Sequence, residues 1–112
     1  MIFIVMRHGV NDVHKLKCNF PRFFSHLDES IFFEWLHRIS AIRRRELCGN
    51  AMTLYVTSQI SQADLRDLIG VFIRYRLDAT QLAQLVSDRN QGWFVDSKAY
   101  WYKDVFSKKT AS

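Results

Sequence analysis

Two segments of this chain carry the same helix-opening signal, and they constrain the fold more than anything else in it. Ser25-His26-Leu27-Asp28 and Ser61-Gln62-Ala63-Asp64 each place a serine hydroxyl three residues ahead of a carboxylate. The serine can accept from the backbone N–H three residues on, and the carboxylate faces the positive end of the helix. After Ser25, the residues Leu27, Ile31, Trp35, Ile39 and Ile42 recur at intervals of three and four, with Phe32 and Leu36 widening the stripe. That spacing predicts one long helix with a buried apolar face. Arg43, Arg44 and Arg45 then fall in its last turn, where cations offset the unpaired carbonyls, and Gly49 supplies a left-handed cap. After Ser61, the stripe is Leu65, Leu68, Ile69, Phe72 and Ile73. Gly70 inside that helix costs about 1 kcal/mol against alanine, which marks a close helix crossing.

Elsewhere the pattern changes period. Met52-Thr53-Leu54-Tyr55-Val56-Thr57, bounded by Gly49-Asn50 and Ser58, predicts a buried strand. Ile2-Phe3-Ile4-Val5 predicts an opening strand, and the polar stretch from Asn11 to Pro21 predicts a loop. Leu77 ends the second helix. Asp78-Ala79-Thr80-Gln81 starts a shorter one in which Leu82, Leu85 and Val86 face inward, and Asn90, Gln91 and Gly92 stop it. Two arrangements fit the aromatic end. Residues 93–95 and 99–102 can pair as a hairpin, or Ser97 can open a terminal helix that buries Trp101 and Val105. Ser107 to Ser112 is expected to fray. The expected fold is therefore a single α+β domain over residues 1–112, mainly helical, with three or four helices packed on a small sheet of short strands.

Composition narrows the class. A chain of 112 residues with 48% apolar and 24% charged side chains has enough apolar material for one core and too little length for two. The apolar run from Met1 to Met6 stops at Arg7 and His8, well short of the roughly 20 residues that span a bilayer. A cytoplasmic, monomeric protein with no membrane partner is the expectation. Cys18 and Cys48 lie apart without redox or metal spacing and are expected as two packed thiols. The net charge of +5 favours anionic partners, and it divides almost evenly between the two halves of the chain.

Candidate chemistry is sparse. His8, His14, Cys18 and His26 lack the short paired spacing of a zinc site, and the four glycines never cluster into a phosphate loop, so no metal and no cofactor are expected. His37, on a strongly patterned helix, is expected to be half-buried, and nothing marks Glu34 or Asp64 as one of a catalytic carboxylate pair. Arg43, Arg44 and Arg45, with Arg74 and Arg76 near the helix pair around Asp78, are the candidates for a nucleic-acid contact. Helix termination accounts equally for the arginine run, and Gln81, Gln84, Asp88 and Arg89 face outward on the shorter helix. The aromatic end serves either as core or, where tyrosine and tryptophan stay exposed, as a protein-binding anchor.

Two resemblances bear on function. Ile4-Val5-Met6-Arg7-His8-Gly9 resembles the opening strand and Arg-His-Gly signature of the histidine phosphatases, which would make His8 the phosphorylated group. That family's second active-site histidine has no counterpart, since the histidines here stop at His37. Over residues 23–106 the order of elements resembles small bacterial immunity proteins of contact-dependent growth inhibition and related polymorphic-toxin systems. The carrying segments are Phe33-Glu34-Trp35-Leu36, Leu65 to Ile69, Phe72 to Tyr75 and the aromatic end Trp93-Phe94, Tyr100-Trp101-Tyr102 and Val105-Phe106. The resemblance implies a non-enzymatic inhibitor that binds a cognate toxin, such as a nuclease domain, and covers its active site with about 800 Å² of its own surface. It would dock through a local acidic patch of Asp64, Asp67, Asp78 and Asp88, with Trp93, Tyr100 and Tyr102 as aromatic anchors.

Overall fold

Gly49-Asn50 forms a two-residue turn between antiparallel strands, with Gly49 at φ +61°, a conformation glycine adopts without a Cβ penalty. This turn organises the sheet in a computed structural model that describes residues 13–107. The elements are β1 (Val13–Asn19), α1 (His26–Arg38), β2 (Ile42–Cys48), β3 (Ala51–Thr57), α2 (Gln62–Arg74), a 3₁₀ helix (Ala79–Leu85), α3 (Gln91–Phe94) and α4 (Tyr102–Phe106). The α+β architecture holds, with five helical segments and a three-stranded antiparallel sheet among the described residues. The expected strand Ile2–Val5, the Arg7-His8-Gly9 motif and all but Ser107 of the expected tail lie outside those residues.

β3 is the central strand, in the order β1-β3-β2. Its alternation decides the two faces. Met52, Leu54 and Val56 are buried, and in β1 their neighbours Leu16 and Cys18 are buried with them, in register Leu16↔Leu54 and Cys18↔Met52. These residues share one core cluster with Phe32 and Leu36 of α1, the α2 residues Leu65, Leu68, Ile69 and Phe72, and Phe94, Trp101 and Val105 from the chain's end. The opposite face carries Lys15, Lys17, Arg44, Glu46, Thr53 and Tyr55.

Several expectations are corrected. The stretch from Asn11 to Pro21 is not a loop: Val13 to Asn19 is β1, and its exposed edge is closed by the 3₁₀ helix. The Lys17 amide donates to Gln81 Oε1 at 2.9 Å, and Gln84 Nε2 donates to the Lys15 carbonyl at 3.2 Å, so both glutamines seal an edge that would otherwise stay unpaired. The first helix ends at Arg38, not at Arg45. Ile39 is extended at φ −91°, ψ 102°, and the next residues are held by Asp64, whose carboxylate accepts from Ser40 Oγ and the Ala41 amide, both at 3.0 Å. Ile42 and the arginine run then pair with β3, with a bulge between Ile42 and Arg44. A whole strand of ladder hydrogen bonds outweighs the local helical period. Arg43, Arg44 and Arg45 therefore terminate no helix.

The burial of α1 also departs from its stripe. Phe32 and Leu36 are buried, whereas Leu27 and Ile31 are 68% and 48% exposed. His37 is exposed, as are Cys48 and Val86. Asn90 to Gly92 do not stop a helix; Gln91 and Gly92 begin α3. Buried Asn90 holds that corner by donating to the Leu85 carbonyl and accepting from the Ser87 amide, each at 2.9 Å. At the chain's end the helical alternative is the one adopted, though it starts at Tyr102 instead of Ser97. Trp101 and Val105 are buried, and Trp101 Nε1 donates to the Phe94 carbonyl at 2.7 Å.

Candidate functional site

The surface most in need of a function is the outer side of α1. Ser25 caps the helix by accepting from the Asp28 amide, and Asp28 in turn accepts from the Phe24 amide at 2.9 Å. These bonds fix where the helix starts. Leu27 and Ile31, one turn apart, then share a face. The next residue along that row, Trp35, lies against α2: its Nε1 donates to the Asp67 carbonyl at 3.1 Å, and a Cβ at Gly70 would stand 3.2 Å from its ring. The close crossing expected at Gly70 is thus real, and Trp35 fills it. Leu27 and Ile31 extend the row beyond the point where α2 covers it, and Phe24, 86% exposed, precedes the cap.

At the start of α1 this strip meets a cleft of about 570 Å³. Arg22, Arg74 and Arg76 line it together with Phe20, Phe24 and Tyr75. Among the described residues, none of these three arginines has a carboxylate within 4.0 Å. Burial, and next the neighbouring Asp28 carboxylate, raise the Tyr75 hydroxyl above its ordinary pKa.

A second charged surface is the open face of the sheet. Arg44 lies over the Tyr55 ring at 4.4 Å, and Lys15 lies 5.7 Å from its centre. The Tyr55 hydroxyl donates to Glu46 at 2.7 Å and Arg44 pairs with the same carboxylate; these two contacts lower the Glu46 pKa. Arg45 turns to the other side, over the Phe33 ring.

The acidic residues expected to form one patch do separate structural tasks. Asp64 ties the α1–β2 link as described. Asp67 receives Trp35 through its carbonyl. Asp78 caps the 3₁₀ helix by accepting from the Thr80 amide at 3.2 Å, and Asp88 sits in an exposed turn. Asp64 lies in the first turn of α2 and Asp78 beyond its last, at opposite ends of a 13-residue helix about 20 Å long. Of the aromatic anchors, Tyr100 is 67% exposed, Tyr102 is half-buried beside Phe106, and Trp93 is half-buried under the Arg66 guanidinium at 3.9 Å. The arginines divide as well. Arg43, Arg44 and Arg45 stand beside Leu36 and His37 in the second half of α1, while Arg74 and Arg76 join Phe24 at its start.

Arg22, Phe24, Tyr75, Lys15 and Lys17 were not singled out by the sequence. A signal existed for the lysines, because Lys15-Leu16-Lys17-Cys18 alternates with the period of a half-buried strand. Cys18 is buried, and burial, reinforced by the Asp78 charge, pushes its thiol up to about 11, which leaves it unreactive. Among the described residues no group of three or more His, Cys, Asp or Glu is placed to hold a metal ion. No family model, curated protein or solved structure matches this chain.

Proposed function

We propose that this protein works by binding another protein, as an inhibitor of the immunity type that covers the active site of a cognate toxin. The observation that carries the reading is the exposed apolar row on α1, Leu27 and Ile31 with Phe24 ahead of the cap. Large apolar side chains grouped in the open mark a protein-binding surface more often than chance exposure does. Arginine and aromatic groups border the row at Arg22, Arg74, Arg76 and Tyr75, and these residue types dominate binding energy at interfaces. The partner suited to this surface is apolar at its centre and acidic at its rim. A nuclease whose carboxylates hold a divalent metal offers such a rim.

The test is growth rescue. Candidate toxin domains from neighbouring reading frames are co-expressed with the chain; one whose growth arrest is relieved and that purifies with it as a one-to-one complex supports the reading. Leu27→Glu with Ile31→Glu removes rescue while the domain stays folded. Rescue undiminished by the double substitution removes α1 from the interface, and a chain that recovers only nucleic acid removes the reading.

A second reading has its own observation. Arg44 shares the open sheet face with Lys15 and Lys17, and Arg43 and Arg45 lie on the same exposed strand, an arrangement suited to the phosphate backbone of a nucleic acid. On that reading, affinity for a single-stranded oligonucleotide falls steeply with salt and drops further in Lys15→Gln with Lys17→Gln. A flat salt response excludes it.

A further inference from the structure

We infer that the cleft between the segment preceding α1 and the C-terminal end of α2 binds a phosphate attached to a planar ring, that is, a nucleotide unit. This goes beyond the inhibitor reading and does not depend on it.

Three guanidinium groups, from Arg22, Arg74 and Arg76, line one cleft without an ion-pair partner among the described residues. Arg76 also borders a neighbouring cleft with Asp78 and Asp104, yet among the described residues neither carboxylate comes within 4.0 Å of it, so the three like charges repel one another and a bound anion relieves that repulsion. Guanidinium matches phosphate in geometry as well as in charge. Asp28 stands near Tyr75 at this place and accepts from the Phe24 amide, but it forms no ion pair within 4.0 Å with any of the three arginines.

The backbone supplies an independent argument. α2 ends in a reciprocal pair of hydrogen bonds, the Leu77 amide to the Phe72 carbonyl at 2.9 Å and the Arg76 amide to the Ile73 carbonyl at 3.2 Å. This closure requires a left-handed residue at position 76, and glycine fills that place most cheaply. Here Arg76 does so at φ +56°, the one non-glycine residue with positive φ among those described. The Arg76 side chain therefore occupies a position where glycine would be less strained, and its head group lines the cleft. The same cleft offers the Phe24 ring, 86% exposed, as a stacking surface, and a volume of about 570 Å³ suits a ligand of nucleotide size.

The ligand is free in solution or is one unit of a single strand, and titration of the full chain distinguishes these sources. Adenosine monophosphate, adenosine, inorganic phosphate and a single-stranded hexanucleotide are compared by calorimetry at low salt. The monophosphate binds at least tenfold more tightly than adenosine or phosphate alone. A hexanucleotide that binds better still identifies a strand as the source, and one that binds no better identifies the free nucleotide. Arg74→Gln weakens the monophosphate about tenfold. Arg76→Gly weakens it similarly yet raises Tm by a few degrees, because glycine relieves the left-handed backbone. Leu27→Ser with Ile31→Ser, which removes the apolar row without adding charge beside the cleft, leaves the monophosphate affinity unchanged, so failure of the inhibitor reading is visible separately. Monophosphate bound no tighter than inorganic phosphate, or an affinity unmoved in Arg76→Gly, overturns the assignment.

Discussion

α1 and α2 are helices of equal length, 13 residues, and open with the same cap, a serine that accepts from the amide of an aspartate three residues on. They nevertheless bury different amounts. α2 encloses Leu65, Leu68, Ile69, Val71 and Phe72, whereas α1 encloses Phe32 and Leu36 and leaves Leu27 and Ile31 in the open. The difference shows that an apolar stripe states how much surface a helix can bury, not how much its own domain will cover. α2 is flanked by the sheet side chains, by α1 through Trp35 and by the 3₁₀ helix. Among the described residues α1 is met by α2 at Trp35, by Phe20 and Phe23 at Phe32 and Phe33, and by Arg45 at Phe33, and it leaves Leu27 and Ile31 in the open. Its remaining apolar row is available to a partner.

The contrast is sharpest in the core. Phe72→Ala is expected to cost about 3–5 kcal/mol, since the ring is fully buried and its surroundings can relax only partly into the cavity left behind. Leu27→Ala removes a side chain of comparable hydrophobicity and should change stability by less than about 0.5 kcal/mol. Chemical denaturation of the two variants measures both, and equal losses would mean that α1 is covered after all.

The crossing gives a smaller effect. Gly70→Ala gains about 1 kcal/mol of helix propensity but sets a methyl group 3.2 Å from the Trp35 ring, which its bond to the Asp67 carbonyl holds in place. The two terms nearly cancel, so Tm should scarcely move. In a Trp35→Ala background the same glycine substitution becomes stabilising by about 1 kcal/mol. A stabilising Gly70→Ala in the unaltered protein would show that Trp35 yields freely.

The two thiols repeat the contrast at the scale of a single group. Cys48, exposed in β2, reacts with iodoacetamide on the native chain, while Cys18 reacts only after unfolding. Mass spectrometry should therefore find one label on the native chain and two on the denatured chain, with no change in stability after the first.

What the sequence made legible follows the same division. β3 and α2 were readable because local pattern and tertiary demand agree there: Met52 to Thr57 is buried on alternate residues, and Ser61 opens a stripe whose members are nearly all enclosed. The end of α1 was not, because Ile39 and Ile42 continue a helical period by coincidence while Gly49-Asn50 turns the arginine run back onto β3. β1 was hidden by its lysines, although their alternation with Leu16 and Cys18 carries the period of a strand. The site was less legible than the fold. Asp64 and Asp78 looked available to a partner because they are charged, yet their carboxylates are engaged in caps and links. Leu27 and Ile31 looked like core because they are apolar. Only placement shows which apolar and which charged groups the domain has already used.

The inhibitor account rests on an apolar row of α1 that serves a partner and not the fold. Thermal unfolding and toxin affinity of the Leu27→Glu, Ile31→Glu chain, measured on one preparation, test this most directly. The account predicts a Tm within about 3 °C of the unaltered protein and an affinity weakened at least a hundredfold, as expected for charges placed at an apolar interface centre. Unfolding at a much lower temperature, or binding as tight as before, would contradict it.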